Sequence, residues 1–191
     1  MGHREQLLAA ARQLLQDKGY AHITARDLVA ASGTNLASIG YHFGSKAGLL
    51  NAALGTVFEE WTTRLAEATM ADPHASPVQR AHTTWATLLD GLPPRRSLLL
   101  SYVEALAQAD RDPVLREQLA DIRHGTRTRV SALVATTLGA SADDPRCLAV
   151  ATFVMAACDG LAVQWLLDPT RSPSGAELTE GLAMIWQRST G

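Results

Sequence analysis

Hydrophobic residues recur every three or four positions along almost the whole chain, which is the spacing of amphipathic helices. The first such stripe runs from Leu7 to Leu15 and ends at Lys18-Gly19, a basic last turn followed by a glycine stop. Thr24 then caps a short second helix, with Asp27 three residues later as its capping-box partner. Ser32-Gly33 ends that helix, so the chain opens with two short, well-delimited helices.

A third helix is predicted from about Asn35 to His42, with Leu36, Ile39 and Phe43 at helical spacing. Together the three helices indicate a compact trihelical unit. Six further helices are delimited by Ser45, Asp72-Pro73, Gly91, Pro93-Pro94, Asp112-Pro113, Gly139, Asp144-Pro145 and the Ser174/Glu177 capping box. No alternating run with turn chemistry suggests a sheet, and the predicted fold class is therefore all-α, with about nine helices.

The eighth predicted helix is almost uncharged from Leu148 to Leu167, a length that can span a bilayer. Asp159 lies in its middle, where a charge costs about 3 kcal/mol in hydrocarbon. Its flanks are acidic, with Arg146 as the nearby cation, so they lack a positive anchor. We therefore expect a helix covered by protein and no membrane association.

Composition is consistent with a globular intracellular protein. The chain has 191 residues, of which 47% are hydrophobic, enough for a sizeable core. Cys147 and Cys158 are eleven apart, about 16 Å along a helix, which is beyond disulfide reach. The N-terminus is amphipathic and charged rather than an apolar secretory signal, and a cytoplasmic location is predicted.

Charge and motif content favour binding over catalysis. The net charge is −2, yet residues 1–55 hold five cations against three carboxylates, where phosphate contact would be expected. The sequence has no HExxH, GxSxG, P-loop or GxGxxG pattern, and His74 and His82 are poorly spaced for a metal. We predict no enzyme activity, no metal and no cofactor.

The span from Thr24 to Phe43 meets the demands of a helix-turn-helix, a short helix followed by a sharp turn and a recognition helix. Small Ala30 and Ala31 allow the two helices to approach closely, and Gly33 suits the turn. A trihelical unit without DNA function is the alternative interpretation.

The stretch GTNLASIGYHFGSKAGLL, Gly33 to Leu50, resembles the DNA-binding segment of the TetR family, most specifically in YHFGSK, Tyr41 to Lys46. Further on, DGLAVQWLLDP, Asp159 to Pro169, is also similar to the family. The resemblance implies a helix-turn-helix DNA-binding domain, residues 1–46, and a ligand-binding and dimerisation domain, residues 47–191. It also implies a homodimer whose small-molecule effector lowers its affinity for double-stranded operator DNA.

The resemblance places Thr24, Tyr41, His42 and Lys46 at DNA phosphates, and each has a suitable donor. The full predicted DNA-binding set is Thr24, Arg26, Thr34, Asn35, Leu36, Ala37, Ser38, Tyr41, His42 and Lys46. Gly40 departs from the family, which commonly has an aromatic residue there. The recognition helix lacks Arg and Lys, so we expect reading through the Asn35 amide, the Thr34 and Ser38 hydroxyls, and thymine methyls.

One recognition helix offers too little contact, and two in successive major grooves predict a palindromic operator. The last two helices are the expected dimer interface, as a four-helix bundle. The interface residues are predicted to be Val150, Phe153, Leu161, Trp165, Leu178, Leu182 and Ile185. The alternative is that these helices form only a monomer's core.

Large side chains on separate helices are candidates for an effector pocket. The predicted set is Trp61, Trp85, Tyr102, Glu104, Met155 and Asp159, with core packing as the alternative for each. The helix from Ser45 carries both Lys46 and Trp61, so a ligand that tilts it would change the separation of the recognition helices. The predicted function is a ligand-responsive repressor, and the alternative is a helical small-molecule-binding or interaction protein without specific DNA binding.

Overall fold

The computed structural model describes residues 2–141 and 143–187, with side chains up to Met184. Its α-helices are α1 His3–Lys18, α2 Ala25–Ser32, α3 Leu36–Phe43, α4 Lys46–Met70, α5 Pro77–Asp90, α6 Arg96–Ala109, α7 Pro113–Leu138, α8 Pro145–Leu167 and α9 Gly175–Gln187. Two short 3-10 helices, Tyr20–His22 and Pro93–Arg95, complete the elements. The described residues contain no strand, and the predicted all-α fold with nine helices is confirmed.

Local hydrogen bonds explain why the helices begin where the sequence indicates. Thr24 Oγ1 accepts from the Asp27 N–H at 3.1 Å, and the Asp27 carboxylate accepts from the Thr24 N–H at 2.8 Å. Ser174 and Glu177 form the same reciprocal pair at the start of α9. Gly33 ends α2 in the left-handed conformation, with φ of 66°, which glycine adopts without strain. These capping predictions are confirmed.

By packing, the chain divides into two compact units. The first contains the residues up to Glu60 together with Arg95–Gly125, and the second contains Trp61–Pro94 together with the residues from Thr126 onward. Helices α4 and α7 each contribute residues to both units. The first unit therefore includes α6 and the start of α7 beside the trihelical segment, whereas the sequence division falls between residues 46 and 47.

The core of the first unit is made by the apolar stripes of α1 to α4, covered by α6 and the start of α7. Leu7, Leu15, Leu28 and Leu50 are fully buried, and each contributes about 1.5–3 kcal/mol by leaving water. Helix α6 adds Ala105, and α7 adds Leu115 and Leu119. This core supports the helix-turn-helix from the side opposite to its exposed residues.

A buried polar network also joins elements of the first unit. The Tyr20 hydroxyl donates to Asn51 Oδ1 at 3.0 Å, and Asn51 Nδ2 donates to Gln118 Oε1 at 3.3 Å. Burial raises the pKa of Tyr20 to about 12, and the nearby Asp112 carboxylate acts in the same direction. The network thus holds the segment before α2 against α4 and α7 only while Tyr20 is neutral.

In the second unit, Arg80 is a charged side chain that is only 8% exposed. Its guanidinium donates to the carbonyl oxygens of Thr69, Asp72, Pro73 and Ala75 at 3.1–3.3 Å. These carbonyls lie at the end of α4 and in the turn that follows, where backbone acceptors lack helical partners. Arg80 therefore fixes the α4–α5 connection.

Helix α9 crosses α5 so closely that a Cβ at Gly175 would lie 2.4 Å from the Ala86 Cα. Helix α8 is different, because within the chain it buries only Cys147, Ala151 and Met155. By length and composition α8 is apolar enough to cross a membrane. The sequence predicts that protein covers the apolar surface of α8, and the chain itself covers only part of that surface.

The Tyr20 network predicts a specific alkaline loss of stability. The folded pKa of Tyr20 lies above its unfolded value near 10, so its contribution is complete below pH 10 and is lost as pH rises through about 12. We expect urea unfolding midpoints of wild type to fall across this window more than those of Tyr20→Phe. Tyr41→Phe, which removes an exposed hydroxyl, is the control and should follow wild type; equal pH profiles for wild type and Tyr20→Phe would contradict the assignment.

Candidate nucleic-acid interface

Helix α3 begins at an asparagine cap. Asn35 has extended backbone angles, and its Oδ1 accepts from the Ser38 N–H at 3.0 Å. The cap satisfies one of the first N–H groups of α3, which have no partner within the helix. At the other end Gly44 has φ of 74°, a region that favours glycine, and its N–H donates to the Gly40 carbonyl. Both ends of the short helix are thus defined by its own sequence.

The two sides of α3 differ in exposure. Leu36 and Tyr41 are 58% and 86% exposed, and Asn35, Ala37 and Gly40 are exposed with them. Ile39 and Ser38 are buried against the first unit. An exposed leucine and tyrosine beside a glycine form a narrow apolar and hydroxyl-bearing ridge, and the major groove of DNA is wide enough to admit an α-helix.

Ser38 departs from its predicted position toward the groove. It is only 8% exposed, and its Oγ lies 3.2 Å from Asn35 Oδ1 and 3.3 Å from His3 Nδ1. At the third helical position it projects toward the start of α1, so its hydroxyl is used inside the unit. Thr34 is half-buried, with its Oγ1 2.7 Å from Ser32 Oγ. The hydroxyls expected to read bases are therefore engaged by neighbouring side chains.

Thr24 and Asp27 share a charged cluster with Lys18. The Asp27 carboxylate accepts from Lys18 Nζ at 2.7 Å and from the Thr24 hydroxyl at 2.7 Å. These hydrogen bonds, with that from Lys18 the largest cause, hold the pKa of Asp27 well below its ordinary value. Thr24 is exposed at the start of α2, as predicted, but here its hydroxyl serves the cap.

The remaining predicted DNA contacts that carry a positive charge or an imidazole ring are Lys46, Arg26 and His42. Lys46 begins α4, and its Nζ donates to the Ile23 carbonyl at 2.7 Å, which leaves two ammonium protons for another acceptor. Arg26 is exposed on α2. His42 is half-buried, and the centre of its ring lies 4.8 Å from that of the Tyr41 ring in an edge-on arrangement.

Two residues near α3 were missed in the sequence. His3 contacts Ser38, and the Arg4 guanidinium lies 5.5 Å from the centre of the Phe43 ring, a cation–π distance. Both belong to the first turn of α1, more than thirty residues from α3 in the chain. The basic side chains at the start of α1 are the sequence signal that could have identified them.

Glu104 and Tyr102, predicted for an effector pocket, belong to the first unit. Glu104 Oε2 accepts from the Ala21 N–H at 2.9 Å, and its carboxylate lies beside Gly19. The neighbouring Ser101 donates to the Leu15 carbonyl at 3.2 Å. Tyr102 packs edge-on against Phe58 with ring centres 4.8 Å apart. Glu104 therefore stabilises the α1–α2 connection, because the N–H groups at the start of the 3-10 helix Tyr20–His22 need acceptors from elsewhere.

The other predicted pocket residues lie in the second unit. Trp61, Trp85 and Met155 are buried there, and Asp159 is half-buried on α8. Of the predicted dimer residues, Val150 and Phe153 are exposed at 40% and 60%. Leu161, Trp165, Leu178 and Leu182 are half-buried, and the Ile185 side chain lies outside the described residues.

Two family models match the chain. Residues 7–53 match the model described as bacterial regulatory proteins, tetR family. Residues 77–184 match the C-terminal domain of BetI-type transcriptional repressors. The second match includes all of α8 and spans more than half of the chain. A comparison with curated proteins gave no significant match.

Solved structures agree with the family models. The multidrug binding protein EbrR, solved in complex with proflavin, is 27% identical, with a TM-score of 0.66 over 96% of this chain and 99% of that one. A transcriptional regulator from Rhodococcus sp. Rha1 is 22% identical, with a TM-score of 0.70 over 96% of both chains. The second likeness concerns the fold alone.

Proposed function

Because this chain belongs to the tetR family of bacterial transcriptional regulators, we propose that it is a homodimeric repressor that binds a palindromic operator through α3. The observation that carries the proposal is the exposed ridge of α3, with Leu36, Ala37 and Tyr41 outside and Ile39 inside. Exposed apolar side chains that cluster on one side of a capped, well-supported helix mark a surface suited to a partner.

Cations at the edge of this ridge would supply affinity that does not depend on base sequence. Arg26 and Arg4 are exposed, and Lys46 retains free donors at the start of α4, where the helix dipole also favours an anion. Leu36 and Ala37 would contact thymine methyl groups, and DNA shape would contribute the remaining specificity.

Dimerisation through α8 and α9 would complete the regulator. Exposed apolar side chains on these helices are Leu148, Val150, Phe153, Val163, Leu167 and Met184. A second copy offers an identical apolar surface, and a symmetric interface buries both at once. A two-fold pair also presents two copies of α3 to successive major grooves. We place the protein in the cytoplasm, where its operator is.

An effector would act through the second unit. EbrR was solved with proflavin, and the buried Trp61, Trp85 and Met155 here are side chains suited to an apolar ligand. Helix α4 is continuous from Lys46 to Met70 and carries Trp61 in its second half. A ligand that prefers one tilt of α4 would therefore change the separation of the two α3 helices and lower operator affinity.

The second candidate function is a ligand-binding protein without specific DNA binding. Gly40 favours it, because glycine weakens a helix by about 1 kcal/mol relative to alanine. The small positive surplus of residues 1–55 favours it as well.

Titration of the protein with DNA from upstream of its own gene, across a salt series, tests DNA binding. We expect a discrete two-fold footprint and an affinity that falls steeply with salt. Arg26→Gln should lower the slope of log affinity against log salt by about 0.9 per lost phosphate contact, near two for a symmetric dimer. Arg116→Gln removes an equal charge from the exposed side of α7 and should leave the slope unchanged.

Two outcomes of this titration would contradict the proposal. A protein that stays indifferent to its promoter DNA at low ionic strength, while binding small molecules, would favour the second candidate. Equal slopes for Arg26→Gln and wild type would remove Arg26 from the interface.

The dimer is tested by placing a charge on α8. Phe153→Glu should raise the dimer dissociation constant about a hundredfold or more, because each symmetric interface would bury two unpaired carboxylates. Sedimentation equilibrium measures this change directly. Val114→Glu, at a side chain 64% exposed on α7, is the matched control and should remain dimeric. A Phe153→Glu variant that dimerises like wild type would exclude α8 as the interface centre.

A further inference from the structure

The orientation of the Asn35 side chain is determined by its two contacts with Ser38. Its Oδ1 lies 3.0 Å from the Ser38 backbone nitrogen and 3.2 Å from Ser38 Oγ. A backbone N–H can only donate, so the amide atom that faces it must be the oxygen. The assignment of oxygen and nitrogen in this side chain therefore follows from chemistry.

Ser38 and His3 continue the hydrogen bonds away from Asn35. Ser38 is only 8% exposed, and its hydroxyl proton is directed to Asn35 Oδ1. His3 Nδ1, 3.3 Å from Ser38 Oγ, is then the donor to the hydroxyl oxygen. In this series of hydrogen bonds, His3 donates to the Ser38 hydroxyl oxygen, the Ser38 hydroxyl donates to Asn35, and Asn35 Oδ1 is the final acceptor.

This arrangement uses both lone pairs of Asn35 Oδ1. A carbonyl oxygen accepts two hydrogen bonds, and Ser38 supplies both. The amide is planar, so Nδ2 with its two protons is on the opposite side of the group from the capped helix end. Asn35 itself is exposed beside Leu36, at the start of the ridge that would enter the groove.

We infer that Asn35 reads operator DNA as a hydrogen-bond donor only, selecting a base with a major-groove acceptor, rather than by the two-way asparagine contact to adenine. The adenine contact needs the side-chain oxygen to accept from N6 while the nitrogen donates to N7. With Oδ1 committed to the cap, N6 has no acceptor. The available acceptors are purine N7, guanine O6 and thymine O4. The inference rests on the proposed function and specifies what its reading helix can recognise.

The consequence is a defined pattern of specificity. Adenine and guanine share N7, so discrimination between them at the Asn35 contact would be weak, whereas removal of the acceptor atom would be costly. Turning the amide over to present its oxygen would set Nδ2 against the Ser38 N–H and leave that donor without a partner. The helix cap therefore restricts the bases that Asn35 can recognise to those with a major-groove acceptor.

Operators with single-atom changes test this inference on the full-length protein. Each purine of a footprinted half-site is replaced by its 7-deaza analogue, each adenine by purine, which lacks N6, and each thymine by 5-methyl-2-pyrimidinone, which lacks O4. Guanine O6 is tested with 2-aminopurine. For wild type we expect one position per half-site where loss of the acceptor weakens binding about tenfold, and no adenine where loss of N6 alone changes affinity more than about twofold.

Asn35→Asp is the matched variant, because aspartate has the same shape, keeps the acceptor for Ser38 and is an equally good N-cap. It lacks the two amide protons. The added negative charge should lower the affinity of the variant equally for every operator. Beyond that uniform loss, removal of the acceptor atom at the one position that weakens binding of wild type should not weaken binding of the variant further. Circular dichroism and the unfolding midpoint verify that α3 is intact.

Two outcomes would overturn the inference. An N6 dependence in wild type that is kept in Asn35→Asp, while an N7 dependence at the same adenine is lost, would mean that Asn35 makes the two-way contact to adenine, because aspartate keeps the accepting oxygen but not the amide protons. The same sensitivity at every acceptor in both proteins would mean that Asn35 acts only as a cap. Failure of the proposed function looks different, since no footprint would form with wild type at any salt concentration.

Discussion

The first N–H groups of a helix have no partner within the helix and must be satisfied by capping side chains, by water or by a ligand. At α3 this requirement is met by the Asn35 side chain and at α2 by Thr24, each within three residues of the group it caps. Because α3 has only eight residues, its position depends on these ends as much as on its buried side. Capping thus stabilises the helix and, under the proposed function, decides which atoms of Asn35 would remain to contact DNA.

The same segment is braced from further along the chain. Glu104 holds the Ala21 N–H, Lys46 holds the Ile23 carbonyl, and Tyr20 reaches Asn51. The first two contacts satisfy backbone groups of a connection whose regular structure is one short 3-10 helix, and the third joins it to α4. A rigid connection keeps the helix-turn-helix in one geometry, which is what recognition of two correctly spaced grooves requires.

Helix α8 differs from the helix-turn-helix, because contacts within the chain cover only part of its apolar surface. It begins at a capped proline turn and is apolar on nearly every side, yet the chain buries only one stripe of it. Burial of the remaining apolar surface against a second copy of the chain would be favourable. Such an association agrees with the homodimer proposed for this member of the family. We therefore propose the uncovered apolar surface of α8, whose length and composition resemble those of a membrane span, as the place where two copies associate.

The sequence by itself determined the helices, their ends and the family. Cap residues and prolines act within four positions, so Thr24 with Asp27, Ser174 with Glu177 and Asp144 with Pro145 could be interpreted without a fold. Only the tertiary structure decided where longer side chains go. It turned Ser38 inward to His3 and used Glu104 on a backbone turn rather than a ligand. These partners are 35 and 83 residues apart in the chain, and such contacts depend on how helices pack, which periodicity does not encode.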